Sequence, residues 1–237
     1  MKADTADQPS SSCDDDRMDH LRAPASMSID LHIVVGFVLG GGLAAVSALL
    51  FRATLKAAPK RPHYIAIVVA AALVGAAAAV WPPSLIAAGA LLAMLGVPAA
   101  AVDVVEHRVP DRLTAPLALG MAITLATTAL ITDSAPSLTM AVVGAVVWGG
   151  VLLVSFLLTG DPGPGDVKLA PSLGMLLGWL GWKWLLTGIV GSYLLAALVA
   201  GLGLLVKRWS LRDGRVPLAS PMLAATMLSV TVAALSG

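Results

Sequence analysis

The sequence predicts an all-α membrane protein, a polytopic transmembrane helical bundle of about eight spans with its N and C termini both outside. The first observation is composition: 58% of the 237 residues are hydrophobic and only 12% are charged, which is not typical of a soluble globular domain. The second is that the apolar residues form separate runs near the length of about 20 residues that a spanning helix needs. The third is that most Lys and Arg residues fall in alternate loops.

The first thirty residues differ from the rest of the chain. Residues 1–30 are polar and acidic and include three consecutive aspartates, a composition that predicts a disordered tail. Met18 and Met27 are alternative starts of the protein, which N-terminal sequencing would decide. Residues 31–237 are predicted to form the membrane-embedded domain. The first apolar run is longer than a signal-peptide core and is followed by basic residues, which favours a first span over a cleaved signal.

Eight apolar runs are predicted to span the bilayer. The second and third are separated only by Trp81-Pro82-Pro83. The sixth is short and contains Pro171, so we expect it to be kinked or only partly buried. The predicted spans are 31–50, 64–81, 84–102, 113–131, 137–158, 167–181, 184–206 and 218–236.

The distribution of basic residues predicts the orientation. Eleven of the fifteen Lys and Arg residues follow spans one, three, five and seven, whereas the opposite loops hold only Lys183. The positive-inside rule places the eleven in the cytoplasm, and their alternation supports an even number of spans. The eleven are Arg52, Lys56, Lys60, Arg61, Arg108, Arg112, Lys168, Lys207, Arg208, Arg212 and Arg215.

The residue types exclude several kinds of site. One cysteine, Cys13, excludes an intrachain disulfide and a cysteine-based zinc site. The sequence contains no HExxH motif, which disfavours a zinc protease. No histidine follows His107, so Ser192 lacks a downstream histidine partner and a serine mechanism is disfavoured. Nothing indicates nucleic-acid binding, and we expect no metal and no cofactor.

Two carboxylates are predicted to lie at the same face of the membrane. Asp103 follows span three and Asp166 precedes span six, so both fall on the cytoplasmic side. The two intervening spans form a hairpin that could return Asp166 to Asp103. Such carboxylates are functional-site candidates. The alternatives are that Asp103 is an interfacial anchor beside Arg108 and that Asp166 is a helix N-cap.

The residues beside the two carboxylates are predicted to shape the backbone. Gly163 and Gly165 permit a tight turn and a close backbone approach, and Pro164 biases Gly163 toward an extended conformation. For Gly165 we expect either a positive φ or close packing against the Asp103 helix. Pro110 is expected to prevent the Asp103 helix from continuing.

Other charged residues near the pair have simpler interpretations. Lys168 is predicted to snorkel at the interface, with binding of a lipid phosphate or holding of the loop as alternatives. Asp111 could cap span four. Glu106, His107 and Arg108 are interpreted as a solvated cytoplasmic face, and Asp161 as a loop charge that could tune the pair electrostatically.

Paired carboxylates indicate a specific chemistry. Two carboxylates that share a site cannot both ionise easily, so one keeps a proton at neutral pH. The ionised group can then take a proton from water while the protonated group hydrogen-bonds a peptide carbonyl. This is the chemistry of an aspartic peptidase.

The segments around these aspartates resemble those of the type IV prepilin leader peptidases, the A24 family of membrane aspartic peptidases. The stretch from Gly163 to Leu169 is similar to the family's GxGD motif, and residues 103–116 are similar to its first aspartate segment. The stretch from Val216 to Pro221 resembles a degraded Pro-Phe-Gly-Pro segment. The resemblance implies that Asp103 and Asp166 are the catalytic pair and that the substrate is a prepilin or pseudopilin, with a Gly before the cut and an apolar helix after it.

The chain also departs from the family pattern. Many bacterial members carry a cytoplasmic domain with paired CxxC motifs after the first span, linked to N-methylation of the new pilin terminus. Here that region is only Arg52 to His63 and contains no cysteine. We therefore expect peptidase activity without methyltransferase activity.

Two functions of different classes follow from the same residues. The first is a multi-pass endopeptidase of the cytoplasmic membrane that removes prepilin leaders at the cytoplasmic face, with no prediction of its oligomeric state. The second is a small proton-coupled transporter in which Asp103 and Asp166 are coupling sites. The transporter would be favoured by internal repeats, which we do not find, or by two carboxylates that lie far apart.

Overall fold

Every regular element in the described part of the chain is a helix. The computed structural model describes residues 41–55, 61–205 and 217–236, so the predicted tail at 1–30 and the first ten residues of span one lie outside the described residues. The helices are α1 Gly41–Thr54, α2 Arg61–Ala79, α3 Pro83–Glu106, α4 Asp111–Thr132, α5 Ala135–Thr159, α6 Pro164–Leu180, α7 Trp182–Leu205 and α8 Ala219–Ser236.

The polytopic helical fold is confirmed, and a helix lies at each of the eight predicted positions. Among the described residues, five helical segments are long and apolar enough to cross a bilayer: Pro83–Glu106, Asp111–Thr132, Ser137–Thr159, Trp182–Gly203 and Ala219–Ser236. Two shorter apolar helical segments, Gly41–Thr54 and Ile65–Ala78, correspond to spans one and two. The number of spans and their orientation stay predictions.

Helix α3 changes its geometry along its length. It begins with a 3₁₀ turn at Pro83–Leu85, continues as an α-helix, widens to a π-helical turn at Leu92–Gly96 and ends as the α-helix Val97–Glu106. Pro98 explains the wide turn, because it has no N–H to donate and its ring crowds the carbonyl of Met94. The helix therefore continues past its proline and carries Asp103 in its last α-helical segment.

Helices α5 and α6 pack with their backbones in contact. A Cβ built on Gly144 would lie 2.1 Å from the carbonyl oxygen of Gly174, and one on Gly178 would lie 2.2 Å from that of Met140. Small residues allow membrane helices to approach in this way. Buried leucines place α6 in the core, including Leu169, Leu173, Leu176 and Leu177. The close contact with α5 therefore buries one face of α6 within the protein, while the expectation that the sixth span is kinked or only partly buried in the bilayer stays a prediction.

Candidate active site

Asp103 is buried in the last turns of α3. Its side chain is 6% exposed, and its Oδ2 accepts a hydrogen bond of 3.4 Å from the backbone N–H of Ala219. Ala219 is the first residue of α8. The contact places a hydrogen-bond donor and the positive end of the α8 dipole beside the Asp103 carboxyl, an arrangement that can stabilise negative charge. A buried carboxylate with this partner is unlike the exposed interfacial anchor that was the alternative interpretation.

Asp166 is buried in the first turn of α6. Its side chain is 7% exposed, and its backbone N–H donates to the carbonyl oxygen of Gly163 at 3.1 Å. Gly163 is the N-cap of the helix, and no side chain caps this end. The interpretation of Asp166 as an N-cap is therefore wrong. Its Oδ1 is buried without a hydrogen-bond partner among the described residues.

The two carboxylates interact electrostatically. Asp166 lies before the predicted span 167–181 and outside the five long apolar helices. Burial, and then the charge of Asp103, raise the pKa of Asp166 to about 7, while the hydrogen bond involving Gly163 lowers it. The exposed Asp161 raises this pKa further, by a smaller amount. The structure thus brings the two sequence-predicted aspartates close enough to interact electrostatically, and with a pKa of about 7 the Asp166 carboxyl is protonated in a substantial fraction of molecules at neutral pH.

Gly165 makes the turn before Asp166 pack directly against the chain that follows Asp103. A Cβ on Gly165 would lie 2.7 Å from the Cβ of Val109 and 2.9 Å from its backbone nitrogen. Among the described glycines, only Gly160 and Gly181 have a positive φ. Gly165 thus makes a close approach, but to the loop after the Asp103 helix and not to the helix itself, and the alternative of a positive φ is wrong.

Gly163 and Pro110 act through their backbones. Gly163 has the extended conformation predicted from Pro164, with φ −61° and ψ 157°, and a Cβ there would make only an ordinary contact of 3.7 Å with Asp166 Oδ2. Pro110 is the extended N-cap of α4, and its carbonyl accepts hydrogen bonds from Leu113 and Thr114 at 3.0 and 3.3 Å. The predicted break between the two helices is confirmed.

The sequence was compared with models of protein families, and one of them matches the part of the chain that contains the candidate site. The model of the type IV leader peptidase family matches residues 90–204, a segment that contains both aspartates. This match supports the resemblance to the type IV leader peptidase family that the motifs around the two aspartates indicated. The match supports a leader-peptidase-like protease in general. No curated protein and no solved structure match the chain.

Lys168 links two helices within the segment that matches the family model. Its Nζ donates to Asp111 Oδ1 at 2.6 Å and so joins the first turn of α6 to the first residue of α4. The preferred interpretation of Lys168 as a snorkelling residue omitted this ion pair, and the alternative of a loop-holding residue fits the contact. Asp111 lies in the first turn of α4 but makes no capping hydrogen bond.

We expect Lys168→Met to reduce cleavage of a leader peptide by less than about fivefold. The side chains of Lys168 and Asp111 are 51% and 68% exposed, and exposed ion pairs contribute only about 0.2–1 kcal/mol. Asp111→Asn should have the same effect, and the double variant should lose no more than either single variant. A loss as large as that of Asp166→Asn would contradict a purely structural role.

The contacts of Arg108 differ from the solvated cytoplasmic face that the sequence predicted. Its guanidinium pairs with Glu106 and donates through Nη2 to the carbonyl oxygen of Thr54 at 2.8 Å. Thr54 is the last residue of α1, where helix carbonyls lack intrahelical partners. Arg108 therefore anchors α1 to the loop after Asp103. Glu106 and Arg108 are only partly exposed, so they do not form a fully solvated face.

The backbone of Ala219 is the site component that the sequence did not reveal. An amide donor has no side-chain signature, and the only available signal was the resemblance of residues 216–221 to a family segment. The neighbouring Ser220 Oγ also contacts α3, at 3.4 Å from the carbonyl oxygen of Ala100. Within the described ranges, no group of three or more His, Cys, Asp or Glu side chains is arranged to hold a metal ion.

Proposed function

We propose that this chain is a membrane aspartic endopeptidase that removes the N-terminal leader of prepilin or pseudopilin proteins at the cytoplasmic face. Asp103 and Asp166 are the catalytic pair. The observation that carries the proposal is the electrostatic interaction of two buried carboxylates from separate helices, which together with burial raises the pKa of Asp166 to about 7. The match of residues 90–204 to the model of the type IV leader peptidase family supports the substrate class.

The two carboxylates have different environments and therefore different starting roles. The amide of Ala219 favours an ionised Asp103. A neutral carboxyl tolerates an unpartnered buried oxygen at a lower cost than an anion, which suits a protonated Asp166. In the resting pair Asp103 is the general base and Asp166 is the proton donor.

Hydrolysis then needs only water and the pair. Asp103 accepts a proton from water as the oxygen attacks the scissile carbonyl, and Asp166 hydrogen-bonds that carbonyl oxygen as negative charge develops. Collapse of the tetrahedral intermediate breaks the C–N bond, and the amine leaves with the proton from Asp103. The products are a leader carboxylate and a mature protein with a free N-terminus.

The position of the cationic side chains supports a cytoplasmic site. Arg108 lies five residues after Asp103, and Lys168 lies two residues after Asp166. Both belong to the set of eleven that the positive-inside rule assigns to the cytoplasm. A transporter with separate coupling sites predicts carboxylates that lie apart, whereas these two interact.

Co-expression with candidate prepilins from the same cell tests the function. We expect leader removal, detected as a mobility shift and as a new N-terminus immediately after a glycine. A prepilin whose glycine before the cut is replaced by a bulky residue is the control. Failure to process any prepilin or pseudopilin of that cell would contradict the proposed substrate class.

We expect the mature product to carry an unmethylated N-terminus. Helix α1 ends at Thr54 and α2 begins at Arg61, so the connection is too short for a cysteine-rich cytoplasmic domain. The measurement is mass spectrometry of the product after incubation with purified protein and S-adenosylmethionine. A mass increase equal to one methyl group, made by this protein alone, would overturn the expectation.

A further inference from the structure

An apolar groove lies between α2, α3 and α8, and Phe51 of α1 also lines it. Its volume is about 590 Å³, and Ser220 and Thr231 are its only polar lining residues among the described part of the chain. Leu73, Val104 and Leu228 on its walls are 65%, 49% and 62% exposed. We call this feature the α2–α3–α8 groove.

One part of the groove lies beside Asp103. Val104 and Ser220 both line the groove. Val104 is the next residue after Asp103, and Ser220 is the next residue after Ala219, whose amide contacts that carboxylate. A bound peptide that leaves the groove past Val104 and Ser220 would therefore pass next to the backbone that carries Asp103, the proposed catalytic base.

The walls of the groove are suited to another helix. Along α8 the lining runs from Ser220 to Thr231, which is about 16 Å or three helical turns. Small residues let membrane helices approach each other closely. Six of the lining residues are alanines, namely Ala66, Ala70, Ala77, Ala100, Ala101 and Ala224.

We propose that the α2–α3–α8 groove binds the apolar helix of the substrate, so that its leader-proximal end lies at the carboxylate pair. This inference rests on the proposed peptidase function. We propose a peptide helix as the occupant because six alanines line the groove and because the groove adjoins Asp103. Binding of a lipid acyl chain would require neither the alanines nor the position beside Asp103.

Filling the groove should separate helix binding from catalysis. Ala224 is exposed on the groove wall, so Ala224→Trp should raise the KM for a full prepilin on the order of tenfold. The same variant should cleave a short peptide that spans the cut but lacks the apolar helix as fast as the wild type does. Ala122→Trp, at an exposed alanine of α4 outside the groove, is the matched control and should leave both substrates unaffected.

The short peptide also shows that the variant is folded, and the outcomes separate the two claims. If the wild type cleaves prepilin and Ala224→Trp cleaves both substrates normally, the groove assignment is wrong and the peptidase assignment stands. If the wild type cleaves neither substrate, the proposed function is wrong and the groove assignment fails with it.

A photocrosslinking residue at position 224 gives an independent measurement in membranes. We expect it to attach to the apolar segment of prepilin in the presence of Asp166→Asn, with no such product from position 122. Attachment only to lipid, or only to other residues of this chain, would overturn the proposal.

Discussion

Replacing either Asp103 or Asp166 with Asn should reduce leader cleavage on the order of 10³-fold or more, while the protein still inserts into the membrane at normal levels. Asn preserves the shape of the side chain but cannot take the proton of water or return one to the leaving amine. In the proposed mechanism the pair acts as a unit that shares one proton, so each single change removes the same chemistry. The measurement is a cleavage rate for each purified variant against the same prepilin.

The control for this prediction is Asp161→Asn. Asp161 is exposed and influences the pair only through its charge, as the smallest of the causes that raise the pKa of Asp166. Removing that charge should therefore lower this pKa slightly and change the cleavage rate little. Substantial cleavage by either catalytic variant would contradict the pair, and an equal loss at Asp161 would identify it as the partner of Asp103.

The apolar pattern was sufficient to predict where the helices lie. Spacing, loop charge and the two aspartate segments also predicted that Asp103 and Asp166, more than 60 positions apart, lie at the same face and could come together, since two intervening spans return the chain to that face. These inferences depend on helix length and chain topology, and both can be read from the order of apolar runs and loops along the sequence.

Contacts between particular side chains of separate helices could not be predicted in the same way. Lys168 reaches Asp111, and Arg108 reaches the carbonyl of Thr54. Both contacts depend on the rotation of one helix relative to another. The local sequence assigned each cation only to a membrane interface, because an interfacial position is equally consistent with a solvated and a paired side chain.

The degree of burial of α6 also depended on packing. Its length and Pro171 predicted a span that is kinked or only partly buried in the bilayer, and they did not predict the backbone contact that Gly174 and Gly178 make with α5. A glycine in a membrane helix is compatible with many partners, so the sequence could indicate close packing without naming the helix against which it occurs.

The second large effect is expected at Gly165, where no reacting group is removed. A Cβ on this residue would overlap Val109, at 2.7 Å from its Cβ and 2.9 Å from its backbone nitrogen. The backbone nitrogen cannot turn away as a flexible side chain can, so the first turn of α6 must shift relative to the loop after Asp103. A displacement near 1 Å can cost about 10²-fold in rate. Gly165→Val should reduce cleavage by this order, and Gly165→Ala should reduce it in the same direction.

Gly163→Ala is the matched control, because it adds the same methyl group two residues earlier in the same turn. Gly163 has a φ of −61°, which any L-residue adopts, and its Cβ would make only a 3.7 Å contact with Asp166. Pro164→Ala is a second control and should also be mild, since Pro164 stiffens the turn without filling the contact with Val109. The test compares cleavage rates of all four variants at equal membrane levels. Wild-type activity of Gly165→Val would mean that packing against Val109 does not position Asp166, and an equal loss in Gly163→Ala would mean that the turn requires glycine for its backbone conformation instead.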